Sequence, residues 1–322
     1  MDYLKKIYDL KKVKDLLVQL KNLTHAVILY SKDDIFLQCF AKLLILKDVC
    51  QTSEICFDCV NCKKVLNGNS VDVEYFGFQK NIVVEDSQQI IADSYVVPLE
   101  FKNKYFVVNN IDKATVSSQN KLLKIIEEPQ SFDRYIFLTK NIDAVLPTIK
   151  SRCQVISLPK FTADELMECF EYKVNDAKHF TTSVVFADGN LAKLQEIYSD
   201  PNYMELYNLA LNILTNMLNS SMVLQYSSKI LSYKGELQKF LDILNLFFAD
   251  MLCIKQNKKD LIANKQLEQQ LQVLANAYSS VAIVAILNYI NGATQKLNYN
   301  VSTNAFVDNL LLKILEIKFI CK

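Results

Sequence analysis

Four cysteines crowd into the segment CQTSEICFDCVNCKK, where Cys50, Cys56, Cys59 and Cys62 form a C-x5-C-x2-C-x2-C array. Two successive x2 spacings let one turn present three thiolates to a single ion, and Cys50 can fold back as the fourth, the tetrahedral sulfur set that zinc prefers. Four protein ligands leave no open coordination position. The array therefore predicts a structural zinc that orders a small module at about residues 50–66, not a metal that activates water. Iron–sulfur ligation also uses C-x2-C-x2-C, but in ferredoxins a C-P dipeptide follows at x3, where this chain has Lys63, Lys64 and Val65. Unrelated free thiols account poorly for four cysteines within thirteen residues.

A second place for chemistry is the turn YSKDDIFLQ, which follows the apolar run HAVILY at His25 to Tyr30. A phosphate loop in such a strand–turn–helix needs glycines, so that backbone N–H groups can close around phosphate, then a Lys and a Ser or Thr. The chain has only five glycines (Gly68, Gly77, Gly189, Gly235 and Gly292), none of them in this turn, and Asp33 and Asp34 would repel a triphosphate. After YFVV, where an ATPase carries an acidic pair for Mg²⁺ and water, stand Asn109 and Asn110. Asp112, the nearest carboxylate, reads as a turn residue. No productive ATP site is expected. Nor do His25 and His179, the two histidines, sit in a nucleophile motif. Glu127 and Glu128 are adjacent on a helical segment, so they point in different directions and read as solvating a helix end.

The elements that must position these residues alternate. Short apolar strands (HAVILY, KYFVVN, RYIFLT, QVISL) are interleaved with helical patterns as far as about Pro159, which implies βαβ units and a parallel sheet. Thr115 is placed to cap the helix VSSQNKLLKIIEE, and Pro129 follows its end. Beyond Pro159 helical periodicity takes over. TADELMECFEYKV and NLAKLQEIYSD form a small helical unit ending near Pro201, and longer helices follow. In ELQKFLDILNLFFADMLCI, Leu237, Phe240, Leu241, Leu244, Phe248 and Met251 make one apolar stripe, the core of a bundle. The expected class is α/β followed by all-α, with domains at 1–160, 161–202 and 203–322.

The segment NNIDKATVSSQNKLLKIIEEPQSFDRYIFLTKNIDAVLPTIKSRCQVISL, Asn109 to Leu158, resembles bacterial DNA polymerase III clamp-loader subunits. Asn120, Leu122, Leu123, Lys124, Glu127, Glu128 and Pro129 match their N-x-LLK-x-x-EEP helix; Thr148, Ile149, Ser151, Arg152, Cys153 and Gln154 match their TI-x-SRCQ motif. The four-cysteine insertion is similar to the family's zinc module. The resemblance implies an AAA+ (RecA-like) parallel-sheet domain, a small helical lid and a C-terminal helical collar. The missing phosphate loop points to the ATPase-inactive member rather than the gamma/tau ATPases, and Ala192 stands where an active member places a phosphate-reading arginine in the lid. Arg152 would then be an arginine finger acting in trans, with Ser151 and Cys153 shaping its turn. The implied partners are gamma/tau and delta subunits and, through the complex, the beta sliding clamp and primed DNA.

Two other readings stay open: a gamma/tau-like ATPase with an atypical loop, and a zinc-containing nucleic-acid binder. The second predicts salt-sensitive DNA affinity of the lone chain. A net charge of +1 supplies no basic field for it. The N-terminal MDYLKKIYDLKKVKDLLVQLKN threads lysines through apolar positions and reads as an amphipathic helix, not a signal peptide. VAIVAILNYI is too short to span a bilayer, so a cytoplasmic location without membrane contact is expected.

Overall fold

The computed structural model describes residues 2–20, 24–170, 177–233, 235–296 and 302–320. It divides into two compact units, Met1–Lys173 with Asp188–Lys193, and Val174–Ala187 with Leu194–Lys322.

The first unit opens with helices α1 (Asp2–Asp9) and α2 (Lys11–Gln19), then β1 (Ala26–Tyr30) and α3 (Asp34–Val49). Next come α4 (Val60–Asn67), β2 (Val73–Phe76), α5 (Val84–Asp93), β3 (Lys104–Val108) and α6 (Val116–Glu127). It continues through β4 (Asp133–Thr139), α7 (Pro147–Lys150), β5 (Gln154–Ser157) and α8 (Ala163–Cys169). All strands are parallel, in the order β2-β3-β4-β1-β5. The register sets Ala26 beside Tyr135 and Val27 beside Gln154. Central β1, β3 and β4 are nearly continuous apolar runs because helices cover both faces of a parallel sheet. One face packs Ile28, Phe106, Phe137 and Tyr135 against Leu122, Ile125 and Ile126 of α6.

The N-terminal stretch expected as one helix is two. The backbone turns extended at Leu10 (φ −64°, ψ 127°), although no Pro or Gly is present. Leu10 is buried together with Leu4, Ile7, Val13 and Leu17, so burial of the whole stripe outweighs helix continuity. β2 also escaped the sequence reading. It is a short edge strand whose Glu74 and Tyr75 are only partly buried, which blurs its pattern. The segment TADELMECFEYKV yields α8, while its residues 171–174 lie outside the described residues.

Helix α9 (Ala177–Ala187) belongs to the second unit and α10 (Leu191–Ser199) begins in the first. The second unit continues with α11 (Tyr203–Asn216), α12 (Val223–Ser232), α13 (Leu237–Lys255), α14 (Glu268–Asn276), α15 (Ser280–Lys296) and α16 (Thr303–Ile320). Its core is built around α13, where Phe240, Leu241, Leu244, Phe248 and Met251 are fully buried and Leu237 packs at the edge. Asp250, also buried, receives the backbone N–H groups of Ala263 and Asn264 and pins the following loop. Among the described residues no single helix is long and apolar enough to cross a membrane.

Candidate metal centre and the phosphate-loop turn

The four expected ligands converge. The sulfurs of Cys50, Cys56, Cys59 and Cys62 all lie within 4.8 Å of one another. Cys50 and Cys56 are 3.6 Å apart and Cys56 and Cys62 4.0 Å. A tetrahedral zinc with Zn–S near 2.3 Å requires S···S of about 3.8 Å, so the donor set and its spacing fit the ion. Backbone geometry makes the cluster. Phe57 adopts a left-handed φ of 58°, which curls the chain so that the N–H of Cys59 points at Cys56 Sγ (3.4 Å). The N–H groups of Cys56 and Cys62 likewise point at the sulfurs of Cys50 and Cys59 (3.4 and 3.5 Å).

These donors favour thiolates. The N–H groups of Asp58 and Cys59 pull the Cys56 thiol down to about 6. Burial pushes the thiol of Cys62 up. Cys50 caps the end of α3 and Cys59 starts α4, so two helices frame the module. It is docked on α1, with the Ile55 N–H donating to Tyr8 Oη (3.3 Å) and the Phe57 ring set edge-on to Tyr8 at 5.3 Å.

The turn after β1 is closed by its own carboxylate. Asp33, only 3% exposed, caps α3 by accepting from the Phe36 N–H at 3.0 Å. The same carboxylate accepts the N–H groups of Leu191 (2.6 Å) and Ala192 (3.3 Å), the first turn of α10. One anion thus serves two helix N-termini, the place where such folds bind phosphate. Burial raises the pKa of Asp33, and hydrogen bonds from Phe36, Leu191, Ala192 and Ile35 offset this only in part. Asn190 adds a bond from Nδ2 to the Lys32 carbonyl and caps α10 through the Lys193 N–H. Gly189 brings the segment in. Its φ is +74°, and a Cβ there would stand 2.4 Å from the Phe161 carbonyl oxygen. Asp34 forms an ion pair with Lys140 after β4. Asn109 is buried and Asn110 is left-handed (φ 54°), with Nδ2 donating to the Gly77 carbonyl. Asp112 lies in the short 3-10 turn Ile111–Lys113.

Arg152 follows α7, whose Pro147 opens the helix and whose Ile149 is fully buried. Its side chain is 40% exposed and Nε lies 2.6 Å from Glu127 Oε1. Nη1 donates to the Thr148 carbonyl (3.0 Å) and to Ser151 Oγ (3.3 Å). None of these contacts reaches the cluster around Asp33. Cys153 faces the other way, against the sheet core, and burial pushes its thiol to about 12, so it is no nucleophile. The His25 carbonyl accepts from the Tyr135 N–H, and the His179 ring lies tilted against that of Tyr198 at 4.9 Å. Glu128 ends α6. Three features escaped the sequence reading: the double role of Asp33, the Asp34–Lys140 pair and the Glu127–Arg152 pair. Only the first had a local signal, an Asp one residue before a helix.

A five-stranded parallel sheet, a cysteine module after its first long helix and a strand–turn–helix at the phosphate-loop position define an α/β domain whose architecture is consistent with the AAA+ class that the resemblance implies. Residues 10–162 match a family model described as DNA polymerase III, delta subunit. The DNA polymerase III subunit delta' of Bacillus subtilis is 23% identical over 82% of this chain and 82% of its own length. The delta' subunit of Buchnera aphidicola (Baizongia pistaciae) is 24% identical over 80% and 81%. The gamma subunit of Buchnera aphidicola (Acyrthosiphon pisum) is 27% identical over 48% of this chain and 44% of its own. Along most of its length the chain is therefore similar to clamp-loader subunits of DNA polymerase III.

Proposed function

We propose that this chain is the non-hydrolysing, delta-prime-type subunit of a clamp loader, that it holds one structural zinc, and that Arg152 acts in trans on ATP bound by a neighbouring gamma/tau-type subunit. The observation that carries this reading is Asp33. Its carboxylate takes the N–H donors that a phosphate would need, and Asp34 stands beside it with its charge already matched by Lys140. A triphosphate entering this turn would have to displace a covalently attached anion and then face two carboxylates at close range.

Phosphoryl transfer builds negative charge on the γ-phosphoryl oxygens, and a planar guanidinium that is charged at every physiological pH can stabilise it. Arg152 is half-exposed on a turn whose rear is anchored in the core, which suits a residue that reaches outward. Cys50, Cys56, Cys59 and Cys62 would hold the zinc, whose contribution is to order the module on α1. The partners in this reading are gamma/tau and delta subunits, with the beta clamp and primed DNA engaged through the assembly.

The test mixes the chain with its cognate gamma/tau and delta subunits, clamp and primed DNA. Arg152→Ala is expected to lower stimulated ATP turnover steeply, by as much as the order of 10³ seen for such fingers, while the complex still assembles. Unchanged turnover in an intact complex refutes the finger. ATP turnover by the lone chain would favour a gamma/tau-like ATPase instead.

A further inference from the structure

We infer that Glu127 is a positioning residue for Arg152, an inference that rests on the finger reading above. Two of the three guanidinium nitrogens are engaged. Nε is paired with Glu127 Oε1 at 2.6 Å and Nη1 donates to Thr148 O and Ser151 Oγ, whereas Nη2 donates no hydrogen bond among the described residues. Contacts on Nε and Nη1 fix both the plane and the rotation of the group and leave the Nη2 edge for an incoming anion.

The placement of Glu127 argues against a purely local purpose. It is the last residue of α6, at the end where the helix carbonyls already concentrate partial negative charge, and a carboxylate there is unfavourable. Another acid, Glu128, follows at once, with only Lys124 as a cation in the last turn. The pair is also about half-exposed, 40% for Arg152 and 45% for Glu127, where an ion pair adds little to stability. What it does fix is a long side chain that would otherwise sample many rotamers. Ordering such a chain only at the transition state would slow turnover by about fivefold to tenfold.

The experiment uses the full complex with clamp and primed DNA and measures kcat and KM for ATP with wild type, Glu127→Ala, Glu127→Gln, Arg152→Ala and the double variant Glu127→Ala/Arg152→Ala. Glu127→Ala is expected to lower kcat about fivefold to tenfold with KM for ATP unchanged, and the isosteric Glu127→Gln to lie between it and wild type. On the Arg152→Ala background Glu127→Ala should cost nothing further, because its effect passes through the arginine. A wild-type or raised kcat for Glu127→Ala, with Arg152→Ala impaired, overturns this inference and leaves the finger intact. An equal loss on both backgrounds also overturns it, by showing a structural effect. A silent Arg152→Ala overturns the finger reading itself, and this inference with it.

Discussion

Removing the Asp33 side chain tests the idea that one carboxylate joins α3 to the start of α10. Asp33→Ala strips α3 of its cap, worth about 1 kcal/mol. It also leaves the N–H groups of Leu191 and Ala192 without an acceptor, each costing about 1–3 kcal/mol when buried. Loss of a desolvated charge offsets part of this, since burial raises the pKa of Asp33. The expected net loss is about 2–4 kcal/mol. Urea unfolding of the full chain, followed through the transition of the first unit, would show it as a fall in midpoint of about 1–2 M for a slope near 2 kcal/mol/M. Asp33→Asn keeps an acceptor for Phe36 and Ala192 but turns an N–H₂ toward the Leu191 N–H, so it should fall between wild type and Asp33→Ala. A loss below about 1 kcal/mol for Asp33→Ala, or an Asp33→Asn variant as stable as wild type, would refute the argument.

The purified chain should carry one zinc, and Cys62→Ser should lower both metal content and thermal stability; a metal assay that finds none, or iron with acid-labile sulfide, contradicts the assignment. Asp133 offers a pH signature. It is fully buried and burial raises its pKa, so the folded chain binds this proton more tightly than the unfolded one. The penalty is therefore absent below the unfolded value near 4 and grows as pH rises through the folded pKa. Asp133→Asn should raise the unfolding midpoint at pH 7 by an amount that shrinks toward zero at pH 4; an equal gain at both values would show that charge is not its source.

Much of the first unit was legible because its patterns are strong. Buried parallel strands read as apolar runs, and Thr115 caps α6, accepting from the Ser118 N–H at 3.2 Å. The cysteine array was readable for a similar reason, since ligand spacing is local and Phe57 needs only to turn left-handed to complete it. What the sequence hid depends on distance along the chain. Asp33 and Leu191 are 158 residues apart, and Glu127 and Arg152 meet only because α6 and α7 pack side by side. Edge strand β2 was hidden by its weak burial, and the break at Leu10 by a tertiary preference that no local residue announces.

A phosphate bound from solution holds a helix only while its concentration exceeds its dissociation constant, and its contribution grows as RT ln(1 + [L]/Kd). Asp33 is joined by a peptide bond to the helix it caps, so its local concentration is set by chain geometry and does not follow the supply of ATP. The junction it makes with α10 has no empty state to visit. In an assembly of the kind proposed above, whose other members change as they bind and spend nucleotide, the first unit would then be the fixed reference against which their motion is measured.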